Sequence, residues 1–198
     1  MDFRDFDMAA LAPAETYKLL SGAILPRPIA LVTTCSAEGA ANAAPFSFFG
    51  VLGHDPATVA LGIEKRPDGR RKDTARNILE TGAFILHIPD VALAAAVERM
   101  AAPEAPGVDE IALAGLETRP GRHVACPRIA AAPVALECRF VSQVDLGTAR
   151  DILLGEVLGI SIRADAVDDR HRVDAGRIDA LARLGGPHFA TVRDRFTL

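Results

Sequence analysis

Short apolar segments rich in β-branched residues, each closed by a turn signal, recur along the chain and limit its fold more than any other feature. Pro28–Cys35 (PIALVTTC), Ala57–Ile63 (ATVALGI) and Ala83–Ile88 (AFILHI) have the length and residue types of strands. Val134–Val144 and Ile152–Arg163 are longer β-type segments, separated by Asp145-Leu146-Gly147. Ser36-Ala37-Glu38-Gly39 signals a turn, after which Asn42–Leu52 resumes with Phe46, Phe48 and Phe49. The economical reading is a hairpin with Gly39 at its tip. Helical spacing is confined to Glu15–Ser21 before Gly22, Asp73–Thr81 before Gly82, Ala92–Ala101, and Asp174–Leu184 with Gly185 as its stop. Strands and helices do not alternate strictly, which argues against a doubly wound parallel sheet. The expected fold is mainly β with peripheral helices, an antiparallel barrel.

A chain of 198 residues is long enough to bury a core without disulfides or a structural metal. No fixed-period repeat or low-complexity linker divides it, so one domain over 1–198 is expected. A hydrophobic content of 49% is too high for a disordered chain. The net charge of -4 offers no basic face for a phosphate backbone, which argues against nucleic acid as a partner. No run approaches the roughly 18 apolar residues of a membrane span. The acidic start, Met1–Asp7, lacks the pattern of a signal peptide. Cys35, Cys126 and Cys138 are an odd, scattered set and read as reduced thiols of a cytoplasmic protein.

Several chemistries are missing from the sequence. It has no phosphate loop, no dinucleotide-binding glycine pattern and no nucleophile elbow. His123-x-x-Cys126 has a ligand spacing, but no second pair completes a zinc site. No catalytic side chain and no metal are expected. The richest segment is Arg66–Asn77, a basic, glycine-containing loop that runs into a helix start. Unpaired N–H groups at a helix start, with Arg70, Arg71, Lys72 and the Thr74 hydroxyl, make a phosphate cradle. The same residues also read as a plain cap by Asp73 or Thr74 with solvated cations. On the hairpin, Thr33-Thr34 and Asn42–Phe48 combine small residues, hydrogen-bonding groups and phenylalanines, which suit a flat heterocycle with a polar edge. The phenylalanines alone read more readily as sheet core. Arg27, between Pro26 and Pro28, is either a third ligand contact or a surface arginine at a strand entrance.

Pro26–Thr34, Asn42–Phe49, Lys72–Ile78 and Gly155-Glu156-Val157 together resemble the flavin reductase-like family, whose fold is the FMN-binding split β-barrel. The Arg183–Phe189 ending is similar to the family's, although Phe189 stands where a tyrosine is frequent, with His188 beside it. The resemblance implies a homodimer with FMN near the subunit interface. Asn42, Ala44, Pro45, Phe46, Ser47 and Phe48 would line the isoalloxazine and ribityl chain, with Thr33 and Thr34 beside the ribityl–phosphate region. Lys72, Thr74 and Asn77 would hold the phosphate, with Asp73 orienting the loop and Arg27 near the flavin or phosphate. Ala101–Pro127 would shape the substrate side. The implied activity is that of an FMN-dependent oxidoreductase, an NAD(P)H:flavin reductase. It would pass hydride from the nicotinamide to FMN, and electrons on to a small-molecule acceptor or a partner monooxygenase. The rival reading is an FMN-binding electron carrier or module without reductase turnover.

Overall fold

The structure, a computed structural model, describes residues 1–197 except 106, 145, 146 and 148. The hairpin forms as read. Strand β2 (Ala30–Cys35) pairs antiparallel with β3 (Ala41–Phe46) through a turn in which Gly39 takes a φ of +88°. A short β1 (Arg27–Pro28) precedes it. The segment Asn42–Leu52 is not one strand. It breaks at Ser47-Phe48 into β3 and β4 (Phe49–His54), and β4 pairs instead with β5 (Ala57–Glu64). The break is set by tertiary contacts: the Phe48 carbonyl accepts the Gly62 amide at 2.7 Å, and its ring lies 4.1 Å beneath the Arg150 guanidinium.

With β6 (Ala83–Ile88), β9 (Val134–Val144) and β10 (Arg150–Ile162), the main sheet has the order β3-β2-β6-β9-β10-β5-β4, every pair antiparallel. The expected turn residues Asp145 and Leu146 lie outside the described residues. Register shifts at Leu154/Gly155 and Val157/Gly159 bend β10 against β9, as bulges do. Gly155 sits at the first shift, where a Cβ would lie 2.4 Å from Cζ of the fully buried Phe84. Val32, Leu61, Phe84, Leu86, Cys138 and Leu153 therefore share one core, although β2 and β5 are far apart in strand order. The sheet curls on itself but is not hydrogen-bonded from β3 to β4, which makes the barrel split.

Helix α1 (Pro13–Ala23) is longer than expected, because Pro13 opens it at N1 and Gly22 is tolerated in its last turn. Helix α2 (Asp73–Thr81) stops at Gly82, which takes a φ of +73°. Its Ala75 and Ile78 enter the barrel core. Helices α3 (Ala94–Ala101) and α4 (Glu110–Leu113) cover the outer face of the hairpin, burying Val97, Met100 and Ile111 on Leu31 and Ala43. This is why Pro28–Cys35 reads as unbroken apolar sequence: both of its faces are covered. Two short strands, β7 (Thr118–Pro120) and β8 (Pro127–Ile129), form a separate hairpin.

The expected helix Asp174–Leu184 is a correction. Asp174 caps α5 as read, but α5 is only Ala175–Ile178, and Asp179 adopts φ +48°. The chain then enters β11 (Ala182–Arg183), between β1 and β12 (Phe189–Ala190). Ile178 and Leu181 drop into two different clusters, so their helical spacing is a coincidence of tertiary packing.

His87, fully buried on β6, ties three strands together. Its Nε2 accepts the Ile129 amide at 3.0 Å, which leaves the proton on Nδ1 to be donated to the Leu31 carbonyl at 2.9 Å. Burial lowers its pKa to about 4 from 6.5. Between those values the unfolded chain binds a proton that the folded one rejects. The neutral imidazole therefore stabilises fully above about pH 6.5, and this is lost as pH falls toward 4, by about 3 kcal/mol in all. Urea unfolding at pH 7 and pH 4.5 should show His87→Leu less stable than wild type at pH 7, with the gap narrowing at pH 4.5. A gap of constant size would show that His87 carries no such linkage.

Candidate functional site

The two sequence regions singled out above open on one cavity. It has a volume of about 710 Å³, within the range of small-molecule sites. Asn42, Ala44, Pro45 and Phe46 of β3 line it on one side, and Lys72, Asp73 and Thr74 at the start of α2 on another. The loop Glu64–Asp68 with Arg70, the segment Met100–Glu104 and Glu110 complete the wall. Ala101–Glu104 and Glu110 are the parts of the Ala101–Pro127 stretch that reach the cleft, and nothing in its composition singles out Glu110. The Glu110 carboxylate accepts the Ala43 amide at 3.0 Å, and burial raises its pKa against that bond.

A buried polar junction joins the two halves. Asn42 Nδ2 donates to Thr74 Oγ1 at 3.0 Å and to Thr34 Oγ1 at 3.3 Å, and Asn77 Nδ2 donates to Thr34 Oγ1 at 3.0 Å. Asn77 Oδ1 is buried without a partner.

The start of α2 is electropositive. Its N-cap, Lys72, provides no side-chain acceptor, so no cap competes for the first amides of the helix. Asp73 faces away from that role, held by Arg66 at 3.3 Å and Arg76 at 2.6 Å. Arg70 is bound to Asp68 at 2.7 Å and Arg71 to the buried Asp151 at 3.1 Å. Among the described residues Lys65 and Lys72 have no ion pair. Partial burial lowers the Lys72 pKa, a cost that a bound anion would remove. Beside this end lies a further cavity of about 450 Å³, walled by Lys65, Arg66, Arg70, Arg71 and Arg76.

The remaining expected residues do not line the main cavity. Thr33 Oγ1 donates to the Pro127 carbonyl at 2.6 Å, and Thr34 and Asn77 sit behind the wall in the junction. Arg27 is buried. Its guanidinium donates to the carbonyls of Ser21 and Leu184 and to Ser47 Oγ, bracing α1 against β11. These three bonds turn its guanidinium inward. Phe48 lies outside the cavity, between Tyr17 and Arg150. Ser47 lines a neighbouring cavity with Pro45 and Phe46.

Cys35 and Cys126, far apart in sequence, interact with one another, whereas Cys138 lies in the barrel core. Burial pushes the Cys126 and Cys138 thiols up to about 12, so neither is a nucleophile near neutral pH.

The residues 21–177 match the model of the flavin reductase like domain. The chain belongs to the flavin reductase-like family. Among solved structures, nitrilotriacetate monooxygenase component B from Bacillus cereus is 30% identical, with a TM-score of 0.96 and all of both chains covered. The 2-nitrobenzoate 2-nitroreductase of Pseudomonas fluorescens is 31% identical, with a TM-score of 0.90, over 98% of this chain and 95% of that one. A Shewanella frigidimarina flavin reductase with a split barrel domain, 19% identical, shares the fold at a TM-score of 0.86, over 100% and 98%. The family's split barrel is therefore the fold of this chain, and flavin chemistry is its class.

The junction makes a stability prediction. Thr34→Val keeps the side chain's shape but strands the two amides that Thr34 accepts, and should cost about 2–3 kcal/mol in urea unfolding. Thr34→Ser should restore most of it. A valine variant as stable as wild type would show that the junction does not hold α2.

Proposed function

We propose that the chain is an FMN-dependent oxidoreductase of the NAD(P)H:flavin reductase kind. The observation that supports this most is the shared cavity: a cationic helix start at one end and a small-residue, aromatic ribbon at the other. One end suits a phosphate dianion and the other a flat ring. Lys72, the Thr74 hydroxyl and the first amides of α2 would hold the phosphate. Asn42 would offer its amide beside them. Ala44, Pro45 and Phe46 would flank the ring, and the small Ala44 leaves room for close approach to the backbone. Met100 and Ala101 would stand on the apolar side of the ring. FMN, when bound, supplies the two-electron chemistry that no side chain here provides.

We further propose that electrons pass to a small-molecule acceptor or a partner monooxygenase, a reading supported by the likeness to the Bacillus cereus component B. A homodimer is part of the same proposal. Edge strand β4 exposes Val51 and Leu52, and α1 with the residue after it exposes Tyr17, Leu20 and Ile24, apolar side chains suited to a second copy.

Fluorescence titration of FMN should give saturable binding. Lys72→Glu should weaken it about tenfold to a hundredfold, the loss expected for one charge-assisted contact. Unchanged affinity would place the phosphate elsewhere. Mixing the FMN-loaded protein anaerobically with NADH, then with NADPH, should bleach the flavin band with at least one of them. Bleaching with neither would favour the electron carrier.

A further inference from the structure

At the end of the main cavity away from the arginine-rich loop, Pro45, Phe46 and Ala101 also wall a second cavity of about 330 Å³. Most of its remaining lining is apolar: Ile29, Val97, Pro187 and Phe189. One cation enters it. Arg183 stands with its guanidinium over the Phe189 ring, 4.5 Å from the centroid. Its NH2 donates to the Gly186 carbonyl at 2.7 Å, and among the described residues no carboxylate pairs with it. Glu98 lines the same cavity but is exposed and makes no ion pair with Arg183.

This guanidinium is held in place. The Arg183 backbone pairs with Arg27 on one side and Phe189 on the other, and the Phe189 ring lies beneath its guanidinium. The donors not spent on Gly186 form a preorganised site for a planar anion. A neutral apolar ligand would desolvate that cation and leave it unpaired, which is costly. A large or flexible anion does not match the volume or the flat walls of proline, phenylalanine and valine. What satisfies both parts is one flat ring carrying one carboxylate.

We propose that the second cavity binds a small aromatic carboxylate, its ring among Pro45, Phe46 and Val97 and its carboxylate on Arg183. The proposal rests on the flavin reading only in placing that acid beside the ring of bound FMN.

Benzoate is the probe. Titrated into the FMN-loaded protein, it should bind and perturb the flavin absorption spectrum, and benzamide, its neutral analogue, should bind about tenfold more weakly. Arg183→Gln should weaken benzoate about tenfold or more and change benzamide by no more than about twofold, and Arg183→Lys should recover part of the loss. Glu98→Gln, at an exposed position, should strengthen benzoate by a few-fold. FMN affinity is measured on every variant. A wild type that takes up no FMN defeats the flavin reading, and calorimetry of benzoate with the FMN-free protein then decides the cavity alone. Benzoate that binds neither form, or binds Arg183→Gln as tightly as wild type, overturns the proposal.

Discussion

The buried junction of Thr34, Asn42, Thr74 and Asn77 fixes where the cationic end of the cleft stands relative to the apolar end. Thr74 and Asn77 are three residues apart on α2 and so lie on one face of it. The next face, Ala75 and Ile78, is in the barrel core. Apolar packing alone would hold this helix against the barrel but would tolerate rotation about its axis. Directional bonds to Asn42 and Thr34 remove that freedom, because any rotation strands buried amides. The orientation of α2 matters because its first turn is the proposed anion site. The rotational setting of one helix thereby becomes the geometry of a binding site.

Charge is distributed to the same end. The chain carries a net charge of -4, yet Lys65, Arg66, Arg70, Arg71, Lys72 and Arg76 fall within one short loop and helix start. The arginines are tied to Asp68, Asp73 and Asp151 and give the loop its shape. The carboxylate of Asp151 is itself fully buried, so Arg71 is drawn back toward β10 rather than into the cleft. Lys72, like Lys65, is left over, half-buried and in no ion pair among the described residues. The arginines are structural, whereas Lys72 feels the Glu64 carboxylate without pairing to it and is open to an anion. Its compact ammonium suits a phosphate as a point charge.

How much of this is legible in the sequence depends on whether the signal is local. Helix α2, strand β6, strand β9 and the Gly39 hairpin are readable because capping, turn residues and apolar spacing all lie within the element. The split of Asn42–Leu52 is not readable, since apolar sequence continues through the break and what stops the strand is Gly62 and Arg150, distant in sequence. The short α5 fails for the same reason: β11 is recruited by Arg27–Pro28. At the site, Asn42, Ala44, Pro45, Phe46 and Lys72–Thr74 stand out by residue type, and they line the cavity. Arg27 and Phe48 carry the right chemistry in the right stretch, but side-chain direction there is decided by partners no local pattern reveals. Glu137 is a further case. Its near-complete burial would raise its pKa, yet the amides of Arg122, His123 and Val124 all donate to its carboxylate and hold it low. That contact organises a loop whose sequence looks featureless.

Strand β3 shows why a cavity exists at this place at all. Ala43 points to the α4 side and packs against Ile111, as a core residue should. Ala44 and Phe46 point the other way, where the barrel core begins, and there the alanine leaves space that a valine or leucine would fill. Pro45 withdraws a backbone donor, tolerable only because β3 is an edge of the sheet. Small side chains and a missing donor on an edge strand weaken a β-sheet. Here they coincide with a void, flanked by the cationic helix start and closed by α3. A sheet built only for stability would fill that void; one that keeps it open has traded packing for a ligand.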